Sequence, residues 1–118
     1  MTRNRASAKK AGTEQENRAV AALQHVNPDI CRRTKTGAKD RGDVHGLHHM
    51  GIRIVVEVKN EATVKLAGWA AEAETERLND DAGAAVVYHK RHGKTDPLEQ
   101  WVTMTARDFV AILTGERP

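Results

Sequence analysis

The stretch that decides the fold is residues 39–60, KDRGDVHGLHHMGIRIVVEVKN. Its second half, Ile52–Lys59, is rich in β-branched residues and is long enough to form a central strand of a sheet. A shorter strand is predicted over 43–47, paired with the long strand as a hairpin through the HHMG sequence at 48–51. The long strand nevertheless ends in two charged residues, Glu57 and Lys59, which buried strands seldom carry.

These charged residues predict a metal site. Glu57 and Lys59 are two residues apart on a strand and therefore share one face, while Val56 and Val58 face the opposite side and a core. Asp43 begins the neighbouring strand and is expected beside them. A bound divalent cation offsets the desolvation of such a group, and Mg²⁺ takes carboxylates, carbonyl oxygens and water. We expect Asp43, Glu57 and the Val58 carbonyl to hold Mg²⁺, or Mn²⁺ in its place, and Lys59 to orient a water for phosphodiester hydrolysis.

The simpler alternative is a solvated Glu–Lys pair beside an ordinary turn aspartate. The composition of the chain predicts roughly one [D/E]-x-K triplet by chance, so the EVK sequence at 57–59 carries little weight alone. Its place at the end of the most strand-like segment favours the metal site. So does the upstream Asp43, which follows a glycine that leaves room for a phosphate.

The remaining elements are predicted from periodicity and from helix caps. In chain order they are a helix from a capping box at Thr13 and Glu16 to before Pro28, a strand at 29–34, a helix at 64–81, strands at 84–89 and 101–104, and a helix from Thr105 to Gly115. The order α-β-β-β-α-β-β-α indicates the α/β (α+β) class, a mixed sheet flanked by helices. Trp69 is expected in the core, and Phe109, Ile112 and Leu113 on the apolar face of the last helix. Glu72 and Glu76 are expected on a solvated helix surface, with an approach to the metal as the alternative.

The length and composition of the 118-residue chain predict one domain, preceded by a basic and flexible arm at 1–11. Residues 1–41 carry ten Lys and Arg against four acids, a net charge of +6, whereas residues 42–118 carry nine against twelve, a net charge of −3. The single Cys31 excludes an internal disulfide and a cysteine metal cage. No apolar run is long enough to span a membrane, and an intracellular protein is the simplest expectation.

Basic residues precede the predicted metal site and are expected to contact a phosphate backbone. The predicted DNA contacts are Arg3, Arg5, Lys9 and Lys10 in the arm, and Arg32, Arg33, Lys35, Lys39 and Arg41 in the loop before Asp43. His45, His48 and His49 are expected to be exposed turn residues rather than zinc ligands, and His45 shares the face of Asp43.

A glutamate in the first helix (Glu16), GD at 42–43, EVK at 57–59 and a following helix resemble the PD-(D/E)XK nuclease superfamily. The resemblance covers roughly residues 12–90 and is strongest to the small archaeal-type and phage Holliday junction resolvases. Gly42 stands where the superfamily's name has proline. The Gln-x-x-x-Tyr motif of exonuclease relatives is absent after the E-x-K, which argues against a processive exonuclease.

The resemblance implies a restriction-endonuclease-like fold for a single nuclease domain at 12–118. It implies Mg²⁺-dependent cleavage of DNA that leaves 5′-phosphate and 3′-hydroxyl ends. Asp43 and Glu57 would bind the metal, Lys59 would be catalytic, and Glu16 would assist metal binding. A homodimer acting on two strands of a four-way junction is implied, in the cytoplasm of a bacterial host and encoded by that host or its phage.

Three alternatives stay open. The chain could be a nuclease of the same fold with another substrate, such as a flap, a nicked duplex or a linear duplex. It could be a DNA-binding module without catalysis, or an RNA nuclease. Glu16 could be a helix cap, a metal ligand or both. No aromatic-rich or base-reading motif is present, which favours recognition of DNA by shape.

Overall fold

The computed structural model describes residues 4–34, 37 and 39–118, so that Arg3 and Lys35, two of the predicted DNA contacts, lie outside the described residues. Within these described residues, three helices and six strands form a mixed α and β fold, as expected. In chain order the elements are α1 (Arg5–Leu23), β1 (Cys31–Arg32), β2 (Val44–His45), β3 (His48–His49), β4 (Ile52–Lys59), α2 (Leu66–Asn79), β5 (Ala84–His89), a 3₁₀ turn (Pro97–Glu99), β6 (Trp101–Thr103) and α3 (Ala106–Thr114).

A four-stranded mixed sheet forms the centre, with the strand order β3-β4-β5-β6. β4 and β5 are parallel, and both β3 and β6 pair antiparallel with their neighbours. β1 and β2 form a separate antiparallel pair. The predicted class is therefore confirmed, and β4 and β5 have the predicted bounds because both are β-branched and apolar.

The side chains of β4 alternate between two cores, one on each face of the sheet. Ile54, Val56 and Val58 pack on one face with α1 and α3, where Ala19 and Ala111 are buried. Val55 faces α2 on the other side, in a smaller core that contains Trp69, as predicted, and several alanines. The fold thus has three layers, and α2 alone among the helices covers the face of the sheet that carries Val55.

The first helix begins at Arg5 and not near Thr13, so the prediction of a capping box and of a flexible arm over 5–11 is wrong. Asn4 caps the helix, because its side chain accepts a hydrogen bond from the backbone N–H of Ser7 at 2.8 Å. Good helix formers such as Ala and Lys then continue the helix through Thr13, which lies inside it.

The predicted strand at 43–47 is divided at Gly46, which has φ +102°. Its ends still pair with β4, because Asp43 N donates to Val56 O at 2.9 Å and Ile54 N donates to Leu47 O at 3.0 Å. The turn of the hairpin lies at Met50 and Gly51, whose φ values of +53° and +82° suit the tight connection of β3 to β4.

The last helix begins and ends as predicted. Thr105 caps its start, and Gly115 ends it in the left-handed conformation with φ +78°. Of the predicted apolar face, Ile112 packs against the core beside the buried Ala111, whereas Phe109 and Leu113 are exposed.

A polar network fastens α3 to the sheet. The Asp108 carboxylate accepts from the Ala85 N–H at 3.1 Å and pairs with the Arg117 guanidinium at 2.7 Å. Arg117 also donates to Gly83 O at 3.2 Å and lies 3.3 Å from Glu74 of α2. In the part of the chain that the structure describes, no helix is both long and apolar enough to cross a membrane.

Gly42 is required by its closeness to β4, and the room that it is expected to leave for a phosphate stays a prediction. Its φ is +94°, and a Cβ atom there would lie 2.9 Å from Val55 Cγ1 and 3.1 Å from Val56 O. We expect Gly42→Ala to lower the free energy of unfolding by about 2 kcal/mol through backbone strain and the clash. Urea denaturation measures this change.

Gly68→Ala is the matched control, because Gly68 lies in α2 with nothing within 4 Å of an added Cβ. That variant should gain about 1 kcal/mol from helix propensity. Equal effects of the two substitutions would contradict the proposed role of Gly42.

Candidate metal centre

Glu57 and Lys59 lie on the face of β4 that α2 covers. This follows from the alternation along the strand, since Val56 and Val58 belong to the core on the opposite face. Glu57 is buried, with only 6% of its surface exposed, whereas Lys59 is half-buried at the end of the strand. The predicted common face of the two charged residues is therefore present.

Asp43 lies against β4, as the hairpin predicts. Its Oδ2 accepts a hydrogen bond from the Val58 N–H at 2.8 Å, and its carboxyl group is hydrogen-bonded to that of Glu57. Because the N–H and C=O of one strand residue point to the same side, the Val58 carbonyl is directed away from β5 and toward this edge. The three predicted protein ligands Asp43, Glu57 and Val58 are thus brought together.

Two further acids complete what we call the carboxyl cluster, made of Asp40, Asp43, Glu57 and Glu76. Single carboxylate oxygens of Asp40, Glu57 and Glu76 lie within 4.8 Å of one another. Glu76 comes from α2 and is only 3% exposed, so its predicted place on a solvated helix surface is wrong. Asp40 is exposed in the loop before Asp43, where its Oδ1 accepts from the Gly42 N–H at 2.9 Å.

Sequence reasoning ranked the solvated surface above the metal site for Glu76, although the signal for burial was present. Trp69, Ala73, Glu76 and Asp80 recur at helical spacing, and all four are buried on the same side of α2. A glutamate that continues an apolar stripe should therefore face the sheet. Asp40 has no comparable signal, because a loop residue shows no periodicity.

Burial raises the pKa values of three members of the cluster. Desolvation, and then the hydrogen bond to Glu57, raise the pKa of Asp43 to about 8. Desolvation, and then the hydrogen bond to Glu76, raise the pKa of Glu57 to about 8. Desolvation also raises the pKa of Glu76 to about 7. In the absence of a cation, Asp43, Glu57 and Glu76 therefore keep protons at a pH at which exposed carboxyl groups have lost theirs.

The donor set fits a hard divalent cation. Carboxylate oxygens and a backbone carbonyl are the ligands that Mg²⁺ prefers. With the cluster ionised, Glu76 Oε2 is a buried atom without a hydrogen-bond partner among the described residues. A cation beside it would satisfy that oxygen and would replace these protons.

Lys59 is paired with Glu72, the other acid of α2 for which a solvated position was favoured. Lys59 Nζ lies 2.7 Å from Glu72 Oε2. Burial favours the neutral amine, but the hydrogen bond that Lys59 donates to Glu72 and the charge of Glu57 outweigh burial and raise the pKa of Lys59. The lysine is therefore a fixed cation beside the carboxyl cluster.

Glu16 does not join the group of three close carboxylates in the part of the chain that is described. It accepts a hydrogen bond at 2.9 Å from Nε of Arg32. It also lies well inside α1, so it does not cap that helix. Its predicted assistance in metal binding stays a prediction.

The predicted DNA contacts differ in whether their charged groups are paired with an acid or exposed. Arg32 is paired with Glu16, and Arg33 lies 3.5 Å from Asp80. Lys39 and Arg41 are exposed in the loop that carries Asp40 and Asp43. The first turns of α1 present the exposed side chains of Arg5, Lys9 and Lys10.

The histidines of the hairpin are exposed, as predicted, and none belongs to the close carboxylate group within the described residues. His89 is the buried histidine, with its ring 5.3 Å from that of Trp69 and its Nε2 2.7 Å from Thr103 Oγ1. Desolvation lowers the pKa of His89, which indicates a neutral packing residue.

The raised pKa values predict that the metal-free protein loses stability as the pH rises. The folded state holds protons on Asp43, Glu57 and Glu76 that the unfolded chain releases above about pH 4.5. Stability is therefore full below that pH and is lost as the pH rises toward 8. We expect urea denaturation in EDTA to show a loss on the order of 2 kcal/mol or more between about pH 5 and pH 8.

Mg²⁺ should restore most of that stability at the higher pH and little at the lower pH, because it competes with the protons. Glu57→Gln should flatten the pH profile, whereas Glu14→Gln, on the exposed side of α1, should leave it unchanged. A stability that rises with pH in EDTA would show that the carboxyl groups do not keep their protons.

No family model, curated protein or solved structure matches this chain. The resemblance to the PD-(D/E)XK nucleases therefore stays a prediction, carried by Asp43, Glu57 and Lys59. What the chain does must be inferred from the chemistry of the carboxyl cluster and of the charges around it.

Proposed function

We propose that this protein is a metal-dependent nuclease that hydrolyses phosphodiester bonds in DNA. The observation that carries the proposal is the convergence of Asp40, Glu57 and Glu76, with Asp43 hydrogen-bonded to Glu57 and Lys59 beside them. These acids come from three separate parts of the chain. Burying carboxyl groups together costs desolvation free energy, which packing interactions alone do not offset.

Asp43, Glu57 and the Val58 carbonyl would hold Mg²⁺, with Glu76 and Asp40 as additional oxygen donors. When bound, the cation acts as a Lewis acid that favours deprotonation of water and offsets the negative charge that develops on a phosphate. The Lys59 ammonium donates hydrogen bonds toward the same region, where it orients the attacking water and stabilises the developing charge. Glu72 restricts the position of that ammonium.

Nucleic acid is the proposed substrate because exposed cations flank a member of the cluster in the chain and others lie at the start of α1. Lys39 and Arg41 flank Asp40 in the chain, and the folded first turns of α1 carry three further basic residues. The chain also has a formal net charge of +3. Selectivity for four-way junctions rests on the resemblance to Holliday junction resolvases, and flaps, nicked duplexes and linear duplexes are the alternative substrates.

A homodimer is proposed because paired cuts in two strands need two metal centres. Exposed apolar residues of α3 and of the edge strand β6 offer a surface for a second copy. They are Phe109, Val110 and Leu113 of α3 and Trp101 and Val102 of β6. An open strand edge with apolar neighbours is a favourable site for self-association.

A gel assay of labelled four-way junction and linear duplex in Mg²⁺ tests the activity. We expect paired symmetric nicks in the junction, and Glu57→Gln should lower the rate by at least about a thousandfold. Lys59→Met should lower it by about a hundredfold, because the metal ligands stay in place. Glu14→Gln, a matched change on exposed α1, should cleave as wild type does.

The results separate the alternatives. Junction binding without cleavage in Mg²⁺ or Mn²⁺ would favour a DNA-binding module and would reject the enzyme. Equal cleavage of linear duplex would reject junction selectivity and leave the nuclease in place. Faster degradation of RNA than of DNA would indicate an RNA nuclease.

Self-association is tested by sedimentation of wild type and Phe109→Glu. Phe109 is 52% exposed, so the substitution should preserve the fold and convert a dimer into a monomer. Val26→Glu is the control, because Val26 is also exposed but lies after α1. A dimer that survives Phe109→Glu, or a wild type that is monomeric, would reject this interface.

A further inference from the structure

A cavity of about 210 Å³ lies next to the start of β4, on the loop side of the hairpin. Its charged lining is unusual, because three arginines and two histidines meet a single acid. We call it the arginine pocket, and its charged and titratable residues are Arg33, Arg41, Arg53, His45, His48 and Asp80.

The one acid does not neutralise the arginines. Asp80 is buried, and its Oδ2 lies 3.5 Å from Arg33 and 3.6 Å from Arg53. Arg53 also donates to the backbone carbonyls of Asp80 and Asp81 at the end of α2. Three guanidinium groups against one carboxylate leave an excess of two positive charges before any histidine is protonated.

A structural role accounts for only part of these donors. The need to fix the end of α2 explains the contacts of Arg53 and the ion pair of Arg33 with Asp80. It does not explain the Arg33 Nε, which is buried and has no hydrogen-bond partner among the described residues. Arg41 is exposed, and the described residues offer it no ion pair.

The pocket and the carboxyl cluster share one face of the molecule. Arg53 and Glu57 lie on the same face of β4, four residues apart and so roughly 13 Å apart along the strand. Asp80 follows Glu76 by about one turn of α2. Arg41 follows Asp40 directly in the loop. A nucleic-acid strand that enters the metal centre would therefore pass the pocket within a few nucleotides.

We propose that the arginine pocket binds a backbone phosphate of the nucleic-acid substrate, a few nucleotides from the bond that is cut. The inference rests on the proposed nuclease function and deepens it. Guanidinium groups suit a phosphate because they donate paired hydrogen bonds in a fixed plane. A phosphate here would satisfy the Arg33 Nε and would balance the excess charge that Asp80 leaves.

The test measures DNA affinity as a function of salt, in Ca²⁺ so that binding is separated from cleavage. Arg41→Gln should weaken binding of a labelled duplex by about tenfold and lower the slope of log affinity against log salt by about one. Arg53→Gln should act in the same direction. Arg107→Gln, an exposed change on α3, is the control and should alter neither quantity.

Nuclear magnetic resonance of the arginine Nε–Hε groups gives a second readout. Titration with a short 5′-phosphorylated oligonucleotide should shift the Arg33 signal, and inorganic phosphate should shift it only at much higher concentration. An equal response to both probes would indicate a site for free phosphate and would reject the nucleic-acid assignment. If Arg53→Gln does not fold, Arg41→Gln and the Arg33 signal still decide the outcome.

These experiments distinguish a wrong assignment of the arginine pocket from a wrong assignment of the nuclease activity. An unchanged salt slope in Arg41→Gln, with normal cleavage by wild type in Mg²⁺, would reject the pocket alone. A reduced slope together with no cleavage in any divalent metal would reject the nuclease and leave a nucleic-acid binding pocket. A wild type that binds neither duplex nor phosphate would reject the pocket outright.

Discussion

The hydrogen bond from the Val58 N–H to the Asp43 carboxylate, at 2.8 Å, is the contact on which the site depends. It replaces a ladder bond at the free edge of β4 with a side-chain bond, so the loop before β2 is fastened to the central strand. Gly42 allows this closeness because any side chain there would collide with β4. The contact places Asp43 against Glu57, and the preceding residues bring Asp40 and Arg41 to the same edge.

Much of the fold could be predicted from local sequence. β4 and β5 are continuous β-branched runs, and α3 has a threonine cap and a terminal glycine, so their bounds follow from composition and caps. The start of α1 was missed because the capping pattern at Thr13 competes with the weaker signal of Asn4. Local preference cannot decide between two caps when the intervening residues are all good helix formers.

The site was predictable only where it lies on regular structure. Glu57 and Lys59 follow from strand alternation, and Asp43 follows from hairpin pairing. Glu76 follows from helical periodicity, because it continues the buried stripe of Trp69 and Ala73. Asp40 joins Glu57 and Glu76 from a loop, whose geometry periodicity does not encode. The exposed Phe109 and Leu113 show the same limit, since apolar character alone does not tell a core from an open surface.

The Arg117 network has a consequence for how the molecule meets other molecules. Arg117 joins Asp108, Gly83 and Glu74, so the short last helix is anchored at both its beginning and its end. A nine-residue helix would otherwise fray. The anchored helix therefore holds its outward apolar side chains in fixed positions. A partner that docks there has little conformational entropy to remove, and most of the apolar contact is retained as net affinity.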